Sequence, residues 1–345
     1  MRKRSIRGKI RSIVRKHIKL DYWYSCYQKR NNPEFQMYAR DKSCSTVIIE
    51  SAEKNSRTDK SIVYYIKSGN SFSGFGAEFR RTLDALFFAD YYGFTPVVEY
   101  NHEYIYAENE VVNGSNNPFE YYFQQPGCVE CKNVANYKRI LFKEEHRDLA
   151  KQIYSSTSSY EQSEEYVKEM GNIITKYIRL KPEVMLYINE SLKQINPEQK
   201  RMIGVHYRGT DYNVGYKNHP KVVKIDDYFA ALDLVLQEST EDIKIFLATD
   251  EEATIKKFVA RYGEKVIFFN DTFRSKDGMP IHFSKDGRKL HKYTLGLEIL
   301  RDIIALSACD YLIAGLSQVS YCARFFKYSR NEEYVGKEIL SNGVR

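Results

Sequence analysis

Between residues 202 and 328, short apolar runs alternate with amphipathic stretches. MIGVHY (202–207), IKIFLA (243–248), KVIFF (265–269) and DYLIA (310–314) read as strands buried on both faces. The stretches 226–238, 252–262, 292–308 and 319–328 repeat their apolar residues at helical spacing. Such alternation predicts βαβ units and a mostly parallel sheet. Polar loops fall after the strands, at about 208–224 and 270–289, where ligands of such sheets gather.

The first half is less regular. STVIIE (45–50), SIVYYIK (61–67) and TPVVEY (95–100) read as strands. Gly74 and Gly76 punctuate a loop, a helix is predicted over about 77–92, and Gly93 ends it. Residues 105–135 read as a polar insertion, 141–195 as mostly helical, and 192–201 as a junction. Three segments are therefore expected: a basic amphipathic segment at 1–20, an α/β domain at 21–195, and a more regular Rossmann-like domain at 196–345. A chain of 345 residues suits two such domains with a cleft between them.

Charge narrows the partners. The net charge is +8, but residues 1–19 hold nine Lys/Arg and no acid, and the rest of the chain is nearly balanced. The basicity is a tail rather than a nucleic-acid-binding face. Ile6, Ile10, Ile13 and Val14 fall at helical spacing within it, so it suits the surface of an anionic bilayer, or equally a solvated or core-packed helix. No apolar run is long enough for a span or a secretion signal, so a cytoplasmic protein, peripheral on the inner membrane face, is expected. Six cysteines are too few for a disulfide scaffold. Cys128 and Cys131 form a lone CxxC with no second pair to complete a zinc site, and read as an ordinary loop pair.

Three constellations carry chemistry. His206-Tyr207-Arg208-Gly209-Thr210-Asp211 follows a strand: Arg208 offers a donor fork for phosphate, His206 a further donor, and Gly209 and Thr210 backbone N–H groups. Asp211 can hold Arg208 or take a proton from a hydroxyl, and the same residues read as a structural Arg–Asp pair. Asp250 and Glu251 end the next strand, placed for ribose or nucleobase donors or for capping the following helix. Asp302 interrupts an apolar helix, where a buried carboxylate needs donors such as adjacent guanine N–H groups; the alternative is a solvent-facing Asp. Ser317 and Gln318 precede a helix whose first N–H groups suit a phosphate, or Ser317 is simply its cap. Together they suit sugar transfer from a nucleoside diphosphate.

At these residues the chain resembles the α1,6-fucosyltransferases of the core and nodulation type. IGVHYRGTDY looks like their HxRRTD signature, IFLATDEE like their second motif, and LEILRDIIALSACDYLIAGLSQVS like their third. SGFGAEFRRTLDALFFADYYG is similar to their first-domain segment. The C-terminal motifs span about 203–324. The resemblance implies a GT-B-like α/β fold, two Rossmann-like domains facing across a cleft. It implies GDP-fucose as donor, inversion at the anomeric carbon, and no metal or other cofactor; the basic N-terminal helix and the missing secretion signal suit a glycan acceptor, such as a lipid-linked oligosaccharide at the inner membrane surface. It also implies that Arg208 binds the diphosphate, His206 lines the GDP pocket and Asp302 recognises guanine. Asp250 and Glu251 then lie beside the ribose or reaction centre, Ser317 and Gln318 on the β-phosphate side. Gly74, Phe75 and Gly76 face the cleft from the first domain. The family's second arginine is Gly209 here, and its downstream glutamate is replaced near Tyr216. The base is therefore sought among Asp211, Glu251 and Asp250. An RGTD variant from bacterial glycan assembly looks closest. Another GDP- or UDP-sugar donor, or a non-catalytic binder of the same fold, are the alternatives.

Overall fold

A computed structural model describes residues 47–48, 63–127, 129, 131, 139–142, 150, 153–154, 160, 163–209, 219–239, 242–275 and 287–345. The basic tail, Cys128, Thr210, Asp211, Tyr212 and Tyr216 lie outside the described residues.

In the first half, β1 (Val47–Ile48), β2 (Val63–Ser68), β3 (Thr95–Tyr100) and β4 (Arg139–Phe142) form a sheet in the order β1-β4-β2-β3. β2 runs parallel to both β3 and β4, while β1 is antiparallel to β4. Helix α1 (Phe75–Tyr92) makes the β2-to-β3 crossover and ends on Gly93. Gly93 has φ 71°, a left-handed conformation that glycine adopts at no steric cost. Helices α2 (Glu164–Tyr177) and α3 (Pro182–Ile195) follow. The strand at 139–142 is a correction, because its last residues fall where the pattern reads as helical. RILF is too short to show a period, and only its parallel pairing with β2 reveals it.

The second half holds β5 (Met202–Tyr207), α4 (Ile225–Glu238), β6 (Lys244–Thr249), α5 (Glu252–Tyr262), β7 (Val266–Ile267), α6 (His291–Ala308), β8 (Tyr311–Gly315), α7 (Gln318–Tyr328) and β9 (Gly336–Leu340). Its strands are all parallel among the described residues, in the order β7-β6-β5-β8-β9. The period of two divides the core. Ile203, Val205, Ile245, Leu247 and Ile313 join the layer of Tyr228 and Leu232 from α4 and Phe258 from α5. Met202, Phe246, Ala248, Leu312 and Ala314 face the opposite layer with Leu300, Ile303 and Leu306 of α6.

That second layer does not stop at the junction. One continuous core runs from Tyr64 and Phe79 to Phe325 and Phe326. The Phe79 and Phe326 rings stack with centroids 5.6 Å apart. Two Rossmann-like α/β regions, with helices packing across a cleft between them, make this a GT-B-like architecture.

Candidate active site at the strand ends

Strand order in the second sheet reverses at β5: the chain proceeds outward through β6 and β7, then returns to β8 on the other side. A crevice opens at such a point beyond the carboxyl ends of the strands. Register brings three exits together there. Tyr207 pairs with Thr249, and His206 pairs with Ala314, so Arg208, Asp250 and the segment Leu316–Ser317 leave neighbouring strand ends.

His206 is buried on the central strand, flanked in register by Ala248 and Ala314. Two small neighbours on the same face leave room beside the imidazole. Two residues earlier, Gly204 lies under α6: an added Cβ would sit 3.2 Å from Leu306 Cδ2 and 3.0 Å from Cys309 Sγ. A crossover helix runs against its strands, so one turn back from Leu306 carries Asp302 toward the same end as His206. Asp302 keeps part of its surface exposed. Burial of its carboxyl pushes the pKa up to about 7, with Arg301 and Arg274 pulling it down less strongly. No hydrogen bond among the described residues ends on that carboxylate, which leaves its acceptor capacity for a ligand.

The loop after β7 builds the rim, through residues that sequence reading had passed over. Arg301 is almost completely buried and forks onto Asp271 at 2.7 and 2.9 Å, with a further bond to Thr272. Buried Glu298 accepts the Phe273 N–H at 3.2 Å and pairs with Arg288 at 2.6 Å. Arg274 donates to the carbonyls of Phe269 and Thr272 at 2.8 and 3.2 Å. Burial lowers its pKa, and Asp302 opposes that shift. The available signal was the charge of Glu298 and Arg301 inside a largely apolar helix, which points to partners in a neighbouring loop.

Arg208 is half-buried directly after β5. Gly209 donates its N–H to Asp250 Oδ1 at 3.3 Å. An added Cβ at Gly209 would lie 2.1 Å from Glu251 Oε1, so the Glu251 carboxylate occupies the space that a side chain at 209 would need. This gives a physical reason for glycine at this position. Burial raises the pKa of Glu251, while a 3.0 Å bond from the Thr254 hydroxyl lowers it. Ser275 ties the loop to this corner: its N–H donates to the Asp250 carbonyl at 2.8 Å.

Ser317 is buried, and its hydroxyl accepts the Val319 N–H at 3.1 Å as the cap of α7. Gln318 accepts from Arg80 Nε at 2.8 Å. Gly76 packs on that same helix start, where an added Cβ would be 3.0 Å from the Gln318 carbonyl carbon. The glycine therefore permits close approach of the two halves. Phe75 is buried edge-on against Tyr122, and Gly74 precedes α1. The structure thus gathers His206, Arg208, Gly209, Asp250 and Glu251 at one end of the sheet, and sets Asp302 within the field of Arg301, Arg274, Glu298 and Asp271. It joins Gly76 to Ser317 and Gln318 at the seam.

Among the described residues no group of three or more His, Cys, Asp or Glu is arranged to hold a metal ion, and no helix is long and apolar enough to cross a membrane. Burial pushes the Cys131 thiol up to about 12, with Glu120 adding to the shift.

No family model matches the sequence, and no curated protein matches it. Solved structures similar to the chain include NodZ α-1,6-fucosyltransferase soaked with GDP-fucose, at 15% identity over 78% of this chain and 92% of that one, TM-score 0.49. POFUT1 in complex with GDP-fucose matches at 12% identity over 85% and 100%, TM-score 0.43. A FUT1 variant of Arabidopsis thaliana in complex with GDP matches at 9% identity over 91% and 76%, TM-score 0.44. At such identities and scores the chemistry of this site rests on its own residues.

Proposed function

We propose that this chain is an inverting, metal-independent glycosyltransferase that moves a sugar, fucose from GDP-fucose first of all, onto a hydroxyl of a glycan. One observation carries the reading: Arg208 leaves the central strand at the same sheet end toward which α6 carries the carboxyl of Asp302. A guanidinium and a base-reading carboxylate so placed suit the two ends of a guanosine diphosphate.

In this mechanism Arg208 binds the diphosphate and neutralises the charge that grows on it as the bond from the anomeric carbon to the phosphate oxygen breaks. Asp302 accepts the paired N–H groups of guanine. His206 lines the pocket beside Ala248 and Ala314. The acceptor oxygen attacks the anomeric carbon from the opposite face, and its proton passes to a carboxylate. Asp211 lies outside the described residues. Of the other two candidates, Glu251 has the raised pKa that a base needs. Ser317 and Gln318 close the β-phosphate side through the first N–H groups of α7. Residues 21–195 form the acceptor side and 196–345 the donor side. Residues 1–19 hold the enzyme at the inner face of the cytoplasmic membrane, where lipid-linked glycans are assembled.

Calorimetric titration of GDP and UDP in the presence of EDTA tests the reading. GDP is expected to bind more tightly than UDP, and Arg208→Ala to weaken GDP by roughly ten- to a hundredfold. Equal affinity for both nucleotides would move the donor to another nucleotide sugar. No binding of either, or no effect of the substitution, would remove the transferase reading. GDP binding without donor hydrolysis or transfer would leave a non-catalytic binder.

A further inference from the structure

Tyr187, Glu190 and Gln194 recur at i, i+3 and i+7 along α3, so they share one helix face. That face does not close on the sheet. With β7 and the residues after it, up to Asp271, it lines a cleft of about 620 Å³. Small-molecule sites span roughly 300–1,000 Å³. β7 is the outermost strand, two away from β5, so the cleft flanks the sheet roughly 10 Å from its central strand. Val266, Ile267 and Phe268 form an apolar wall. The polar side is built on Arg301, whose side chain lines the cleft while only 1% exposed. Arg301 forks onto Asp271 at 2.7 and 2.9 Å and donates to the Tyr187 hydroxyl at 2.5 Å. Its guanidinium lies 4.0 Å from the Phe269 ring centre and 5.2 Å from that of Tyr187. Asp271 is fixed in this way yet stays open, with its side chain 63% exposed. Glu190, Gln194 and Asn270 also line the cleft; all three are exposed and form no hydrogen bond with the described residues.

We infer that this cleft is a binding site for a neutral saccharide. Two carboxylates and two carboxamides converge on it, and Arg301, the only cation among its lining residues, has both terminal nitrogens committed. The lining therefore offers acceptors in excess, so the ligand has to bring donors, and an anion is repelled. Sugar hydroxyls donate to Asp271 and Glu190, and they accept from the N–H groups of Gln194 and Asn270. The C–H faces of a pyranose suit the apolar wall. A cationic ligand is served less well: Arg301 balances Asp271, which leaves the charge of Glu190 alone and the carboxamide donors unused. The site stands apart from the nucleotide crevice and does not rest on the transferase reading.

Saturation-transfer NMR on the full chain tests the site, with methyl glycosides of glucose, galactose, mannose and N-acetylglucosamine as probes and spermidine as the cationic comparison. At least one glycoside is expected to bind the native protein. Gln194→Trp, which fills the cleft from α3, is expected to abolish that binding. Glu190→Ala should weaken it roughly tenfold and Asn270→Ala roughly threefold. Because these three side chains make no hydrogen bond within the described chain, melting temperature and GDP affinity are expected to stay unchanged. Absence of binding by every glycoside, or intact binding in Gln194→Trp, would overturn the assignment. So would a Glu190→Ala protein that loses spermidine and no sugar, which marks a cation site. GDP titration of the same samples reports on the transferase reading separately.

Discussion

On the proposed reading, Asp302 ties nucleotide binding and stability to pH through a single side chain. Burial raises its pKa to about 7 from the ordinary value of 3.8, so the folded chain retains a proton that the unfolded chain gives up. Stability tied to this group is complete below about pH 4 and is lost as pH rises through about 7. On the proposed reading, nucleoside binding runs the other way, because only the ionised carboxyl offers all its lone pairs to guanine. Asp302→Asn is therefore expected to raise the melting temperature relative to the native protein above pH 7. It should also abolish the strengthening of GDP affinity between about pH 6 and pH 8, read by calorimetry. An unchanged pH profile would disconnect Asp302 from the nucleotide. Gly209 poses a question of space rather than backbone conformation. Gly209→Ala drives a Cβ into the Glu251 carboxylate and costs the bond from Thr254, about 1 kcal/mol in urea unfolding. In a Glu251→Ala background the cost should vanish. If it persists there, the crowding lies elsewhere.

Among the elements, α1, α2 and α7 form the seam that presents the site. Arg80 of α1 pairs with Asp84 at 2.8 Å and donates to Gln318 at 2.8 Å; Tyr166 of α2 donates to the other Asp84 oxygen at 2.6 Å. Arg80, Asp84 and Tyr166 are all buried, so removing one partner leaves another charge or acceptor without water. Asp84→Ala, which strands the guanidinium, is expected to cost about 3–5 kcal/mol in urea unfolding. Tyr166→Phe, which removes one bond to a charged acceptor, should cost about 2 kcal/mol. Equal costs would show that the network is not organised around Arg80.

The two halves behave as one packed body in their contacts. Gly296 of α6 leaves no room for a side chain, since an added Cβ would be 2.1 Å from the Tyr122 hydroxyl, which donates to the Tyr293 carbonyl at 3.0 Å. Gly171 of α2 likewise has no room for a side chain against Tyr328 of α7, with an added Cβ 2.7 Å from its Cβ. Because one apolar core crosses the seam, opening either half exposes surface of the other. Scanning calorimetry is expected to show a single cooperative transition. Two resolved peaks would show that the halves unfold independently.

The alternation of short apolar runs with amphipathic stretches was enough to place β5, α5 and β3 at 202–207, 252–262 and 95–100, and the other predicted elements of the second half within a few residues, whereas the largely exposed edge strand β9 (Gly336–Leu340) was not read at all. Those signals are local: side-chain period and element length are written in consecutive residues. KVIFF shrank to two paired residues, Val266 and Ile267, because an edge strand is held on one side alone. The candidate residues of the second half stand out in the sequence, since each follows a strand or interrupts an apolar helix. Which of them share a crevice was not legible there. That depends on strand order and register, which bring His206 beside Ala248 and Ala314 from segments about forty and one hundred residues away. The occupation of the space at Gly209 by Glu251, the capture of Gln318 by Arg80 and the fork of Arg301 onto Asp271 likewise came only from packing. Local propensity is carried by neighbours in sequence, whereas contact and volume exist only between segments that the folded chain brings together.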